Sequence, residues 1–357
     1  MHEQSLGSPS LPTSPNDSRR SAPTEALSGH GVNHLGYRGW NGKLEPGWMR
    51  WAVIAAVGVR RSWTSSWLKR MMFLAWLPAV WFAVGFFFWE QAALYPEWRQ
   101  GMFQFMRGLP PSPAFDQIRD SIQSGDLESS RHTVWAWLLQ SFFRYPQGVV
   151  MVMVVGMVAP PLISQDIRSR AFLIYFSRPL IRGEYVLGKL ASLWVFLSII
   201  STIPALVLYV LGVFLSPNLG VLAATWDLPL RIIGASVVLM LPTSVLALCF
   251  SSLTQETRYA GFAWFIVWIL GWFTYVAATA SQAMNAGPFR SPEEQVALME
   301  ESAWTHLSLY HTLGRVQSWV FGFSKLEDVV ASIAILGAIT FISLAIMFRR
   351  ISAPMRV

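Results

Sequence analysis

Residues 183 to 190 read GEYVLGKL, and the first seven match the G-x-x-x-x-G-K pattern of a phosphate-cradling loop. Such a loop aims free backbone N–H groups and a lysine at phosphates, and a Ser or Thr after the lysine holds magnesium. Here the eighth residue is Leu190, which cannot ligate a cation, and no strand pattern precedes Gly183. The stretch therefore predicts no nucleotide site. Lys189 instead opens a long apolar run, where a lysine is expected to reach back toward lipid headgroups. A second candidate is the pair His306 and His311, with Glu300 and Glu301 nearby. On a helix, a spacing of five sets two side chains about 140° apart around the axis, a poor geometry for one metal. Neither H-E-x-x-H nor G-x-S-x-G occurs. No catalytic residue, metal site or cofactor is expected on this chain, and it does not read as an enzyme.

The elements around these residues decide their meaning. Of 357 residues, 53% are hydrophobic and 13% charged, half the charge of an ordinary soluble domain, and the mean hydropathy is +0.41. The 18 Trp fit a membrane protein, because indoles collect where hydrocarbon meets headgroups. The one cysteine, Cys249, excludes an intrachain disulfide. The net charge of +7 is read as basic loops beside a membrane rather than a nucleic-acid surface.

Residues 1–46 are rich in Ser, Pro, Gly and Asn without apolar periodicity, and are expected to be a disordered polar tail. No signal peptide is visible, since the first long apolar run begins near Met71. Residues 47–70 mix Trp and aliphatics with Arg and Lys, which predicts an interfacial amphipathic helix. Charge-free runs then define six transmembrane helices, expected at about 71–93, 146–165, 187–215, 230–254, 259–280 and 328–348. Each is near or above the ~20 residues that cross ~30 Å of hydrocarbon. Residues 351–357 form a short tail. The fold class is thus an all-α polytopic membrane protein.

Eighteen of the 27 Lys and Arg fall on one side of these spans, which places both termini and the 166–189 loop in the cytoplasm. Loop lengths are uneven. Segments 95–143 and 281–327 lie outside, whereas Glu256-Thr257-Arg258 is the whole connection between spans four and five. The connection between spans two and three is the one substantial cytoplasmic loop. No Asp, Glu, Lys or Arg falls in the middle of a span, which disfavours an ion-driven carrier. The polar groups at depth are hydroxyls, including Ser201, Thr202, Ser236, Thr243, Ser244 and Thr274, expected to bond their own or a neighbouring helix.

That loop reads APPLISQDIRSRAFLIYFSRPLIRGEYVLGK over 159–189. Its Asp166, Arg168 and Arg170, then Tyr175, Ser177, Arg178 and Pro179, then Arg182, Tyr185, Gly188 and Lys189 resemble the hallmark segment of membrane permease subunits in the type-2 family of ABC exporters. In that family an acid-and-arginine cluster ends span two, a short helix and a Ser-Arg-Pro turn follow, and Tyr-x-x-Gly-Lys opens span three. The resemblance covers about residues 47–350. It implies a coupling helix that docks on a separate ATPase subunit. ATP and magnesium would sit on that partner, a second permease chain would complete the pathway, and the bacterial cytoplasmic membrane would hold the assembly. The residues point the same way: AFLIYF flanked by Arg170 and Arg178 looks like an interface core with a charged rim. Tyr175 is the expected anchor, with Asp166, Arg168, Arg170 and Arg178 at the rim. Topology and anionic lipid explain the arginines but not an apolar patch in an aqueous loop. The alternative is a non-transporting membrane protein that uses the same loop to anchor or assemble cytoplasmic partners. The substrate is not legible.

Overall fold

The computed structural model describes residues 49–108, 127–171, 180–285 and 303–352. Among them there is no strand, and six helices are long and apolar enough to cross a bilayer. The chain is an all-α polytopic membrane protein. The expected polar tail, most of AFLIYF, and Tyr175, Arg178 and Pro179 lie outside the described residues.

The segment expected as one interfacial helix is two. Helix α1 covers Arg50–Trp63 and α2 covers Ser66–Leu74. Ser65 breaks them apart: its hydroxyl accepts the Leu68 N–H at 3.3 Å and caps α2. After a turn at Ala75 and Trp76, α3 (Leu77–Leu94) completes the first span. Gln147 of the next span donates to the Ala75 carbonyl that this turn leaves free, at 3.1 Å. Helix α4 (Arg99–Arg107) then folds back along α3. Phe105 stacks on Trp81 and meets Phe82 edge-on, in the space that Gly85 leaves.

The second span begins far earlier than its apolar run. Helix α5 (Leu127–Phe142) passes through a π-helical turn at Phe143–Gln147 into α6 (Gly148–Arg168). At 1.5 Å per residue the rod is on the order of 60 Å long, twice the hydrocarbon thickness. Charge at Arg131 and Arg144 hid this extension from hydropathy. Span three is likewise bipartite: α7 (Arg182–Leu197), a π turn at Ser198–Thr202, and α8 (Ile203–Leu215). Pro146 and Pro204 explain both turns, since each lacks the N–H that a regular helix would donate. The two π turns touch.

A short helix α9 (Val221–Ala224) leads to α10 (Leu228–Leu253), the most buried span. Its inward face carries Ala235, Ser236, Ser244, Ala247, Ser251 and Ser252, small enough to let neighbours approach closely. Helix α11 (Thr257–Asn285), the shorter α12 (Leu309–Phe321) and α13 (Leu326–Ser352) surround it. Helix α12 ends on Gly322, whose φ of 88° is left-handed and suits glycine. The hydroxyls at depth behave as expected. Ser201, Ser236, Thr243 and Thr274 donate to carbonyls four residues back, and Thr202 donates to Ser236 at 2.8 Å.

Candidate functional site

GEYVLGKL lies wholly within α7, so it is helix and not a loop. Its glycines have separate roles. A Cβ on Gly183 would meet nothing within 4 Å, whereas one on Gly188 would sit 2.8 Å from the Trp51 carbonyl and 2.7 Å from Ile54. Gly188 is therefore what allows α1 to lie against α7. Gly58 of α1 faces Ser192 in the same way, Ser192 donates to the Ala55 carbonyl at 3.2 Å, and Trp63 stacks on Phe196. The resemblance gave Gly188 a place in a motif, and the packing gives it a reason.

Lys189 does not reach for headgroups. It is 6% exposed, and its Nζ lies 2.6 Å from Oδ2 of Asp166, itself 4% exposed. Tyr185, fully buried, donates its hydroxyl to the same oxygen at 2.8 Å. Asp166, expected at the rim of a partner surface, is thus an internal residue. Its carboxylate joins the last turn of α6 to the first turns of α7, on either side of the loop. Two buried opposite charges tolerate this setting only as a hydrogen-bonded pair, because each alone would be costly out of water. The spacing makes the triad legible in retrospect: Tyr185 and Lys189 are four apart, hence on one face of α7.

The other loop residues divide. Arg168 is exposed and sits 3.7 Å from Glu256, a pair with side chains 67% and 43% exposed that contributes little. Arg170 is exposed and has a φ of 53°, the left-handed conformation in which helices usually place glycine. It ends α6, after Ser169 whose N–H and hydroxyl both bond the Gln165 carbonyl. Arg182 is the first residue of α7, and Glu184 caps that end by accepting the Ile181 N–H at 3.0 Å.

The α6 side of the loop is held from a third helix. Pro160 and Pro161 lie inside α6 and take two N–H donors out of its ladder, and Ser251 of α10 bonds the backbone groups beside them. Its Oγ accepts the N–H groups of Ile163 and Ser164 at 3.1 and 3.0 Å and donates to the Pro160 carbonyl at 2.6 Å. Ser164 shares a hydrogen bond with Thr257 at 3.1 Å, which extends the link to α11. Both loop anchors are therefore fixed to four spans.

Polar contacts at the opposite end of the bundle lay beyond sequence reasoning. Glu90 of α3 is fully buried and accepts from Arg131 at 3.2 Å and from Trp135 at 3.0 Å. Asp227 accepts from Arg231 at 2.6 Å and bonds His132 at 2.9 Å. Burial opposes the charge of Asp227, but the His132 and Arg231 contacts outweigh it and hold the carboxyl below its usual range. Arg231 spacing of four from Asp227 was visible, but the partners 41 and 95 residues away had no local signal. Arg144 donates to the Tyr310 carbonyl at 2.8 Å, and the Tyr310 hydroxyl returns a bond to the Arg144 carbonyl at 2.8 Å.

The histidines do not meet as a site. His311 stacks on Tyr275 and bonds Ser308, and His306 lies 3.5 Å from Ser332. The helix of His311, α12, is packed among the spans. Burial, aided by nearby Arg144, lowers His311 to about 3. Among the described residues, no three metal-ligating side chains converge. Glu300 and Glu301 lie outside them. No protein-family model matches this chain, and no curated protein matches it at a significant level.

Proposed function

We propose that the chain is the permease subunit of an ATP-driven exporter of the type-2 ABC kind. It would form the pathway together with a second permease chain and couple through its 164–186 loop to a separate ATPase subunit that binds ATP and magnesium. The observation that carries this reading is the buried Asp166–Tyr185–Lys189 cluster. A loop that only fixed topology would need no rigid base, because charge beside a lipid surface acts without a defined geometry. A loop that receives a push must pass it on. The salt bridge, the Ser251 bonds to α6 and the α1–α7 contact join the loop ends to the spans without slack. Asp166, Tyr185 and Lys189 act here as positioning residues, and Gly188 serves the α1 contact. In this reading Arg168, Arg170, Tyr175, Arg178, Pro179 and Arg182 belong to the surface that meets the partner.

The reading requires a cytoplasmic loop, in a bacterial inner membrane or its equivalent. Single cysteines at Ser124 and Ser291, in a Cys249→Ser background, should react with an impermeant thiol reagent on intact cells. Ala171→Cys should react only after the cells are opened. Labelling of Ala171→Cys from outside would remove the proposed function together with the orientation.

A further inference from the structure

A groove of about 610 Å³ opens between α1, α2 and the outer face of α7. Its walls are apolar, with Ala56, Val59 and Trp63 of α1 facing Val195, and two cations also line it, Arg60 and Lys69. Both cations are exposed, and neither pairs with a carboxylate among the described residues. No Asp or Glu occurs between Glu45 and Glu90, so α1 and α2 offer nothing to neutralise them. Trp63, which lines the groove, is 42% exposed, as aromatic residues are at a headgroup boundary.

From this combination we infer that the α1–α2 elbow is a binding site for one anionic phospholipid, with its phosphate between Arg60 and Lys69 and an acyl chain along Ala56, Val59 and Val195. A soluble anion would use the two cations but leave the apolar walls wet. A zwitterionic lipid would fill the walls but bring no net charge to the cations. An anionic amphiphile satisfies both. The elbow itself explains why the groove exists: Ser65 breaks the chain between α1 and α2, so α1 is free to pack on α7 through Gly58 and Gly188. The bound lipid would then brace α1 against the span whose first turns hold Lys189. The inference rests on the membrane character of the chain and not on the transport reading.

The test is native mass spectrometry of the purified full chain, titrated in detergent with phosphatidylglycerol or phosphatidylcholine. One phosphatidylglycerol should be retained in preference to phosphatidylcholine. Each basic residue facing anionic lipid contributes on the order of fivefold, so Arg60→Ala with Lys69→Ala should weaken retention about 25-fold. Arg349→Ala with Arg350→Ala removes the same charge elsewhere and should leave it unchanged. Val59→Trp fills the groove with both cations intact and should also weaken retention. Glycerol phosphate should not displace the lipid. The inference is wrong if the two lipids bind equally, if the Arg349 and Arg350 changes weaken retention as much, or if glycerol phosphate competes as well as phosphatidylglycerol. Undiminished binding in a Val59→Trp chain that melts like wild type would also overturn it.

Discussion

Lys189 shows what a residue type and spacing convey and what they do not. Its position at the mouth of an apolar run suggested a side chain reaching for water, the usual behaviour of lysine there. Packing decided otherwise, because Asp166 and Tyr185 converge on it from a place that only the fold could bring near. The pair predicts a steep response to single substitution. Lys189→Met leaves a buried carboxylate without its counter-charge and should cost about 3–5 kcal/mol in a thermal or denaturant melt. Lys189→Met combined with Asp166→Asn should recover most of that, and a single variant as stable as wild type would mean that the lysine is only a surface charge. His311 makes the second residue-scale prediction. The folded chain keeps its imidazole neutral down to about 3, whereas an unfolded chain takes up a proton near pH ~6.5. Between those values the unfolded state binds more protons, so stability is full above about pH 6.5 and falls as pH is lowered toward 3. Burial and Arg315 lower His306 as well, and its contribution has the same sign. Melting temperatures in detergent should therefore drop from neutral to mildly acid pH, and His311→Phe, which keeps the ring stacked on Tyr275, should flatten part of that slope.

At the level of elements, Gly188 gives the cleanest prediction. Gly188→Val would drive a side chain into the Trp51 carbonyl, so α1 must leave α7. Cysteines replacing Ala55 and Ser192 in the Cys249→Ser background should cross-link readily, and Gly188→Val should abolish the cross-link while the spans remain folded. An unchanged cross-link would show that α1 packs without that close approach. The six spans were readable because each apolar run reports directly on the cost of placing charge in hydrocarbon. The helix that carries the second span runs well beyond the expected 146–165, and the sequence hid that extension for the opposite reason. Arg131 and Arg144 lie on a helix that projects past the bilayer thickness, where burial against Glu90 and Tyr310 replaces hydration. The α1–α2 break was hidden as well, since a Thr-Ser pair in a basic amphipathic stretch suggests a cap only once the chain is known to turn there. The π turns were foreshadowed by Pro204, but their mutual contact depends on how spans two and three are aligned.

Taken whole, the molecule has one end where a loop is anchored by buried polar contacts to α6, α7, α10 and α11. At its other end, long-range pairs and the short α12 tie the helices together. Such a body suits a part that moves as a unit when pushed at one end, since packed elements shift between discrete arrangements rather than deform continuously. The sequence resemblance supplied the idea of a partner, and the anchoring supplies a mechanical reason for it. The most direct test of the coupling claim is co-purification of a co-expressed ABC-type ATPase with the chain and its Tyr175→Ala and Arg168→Ala variants, all at equal membrane levels. An apolar anchor at an interface centre usually dominates binding, while rim charges tune rate and register. Tyr175→Ala should therefore lose most of the bound ATPase, by about tenfold or more (anchor truncations commonly cost 2 kcal/mol or above), and Arg168→Ala should lose far less. Full ATPase recovery with Tyr175→Ala, alongside failed or inverted membrane insertion when Arg168 and Arg170 are replaced, would show that the loop is a topology signal and contradict the account.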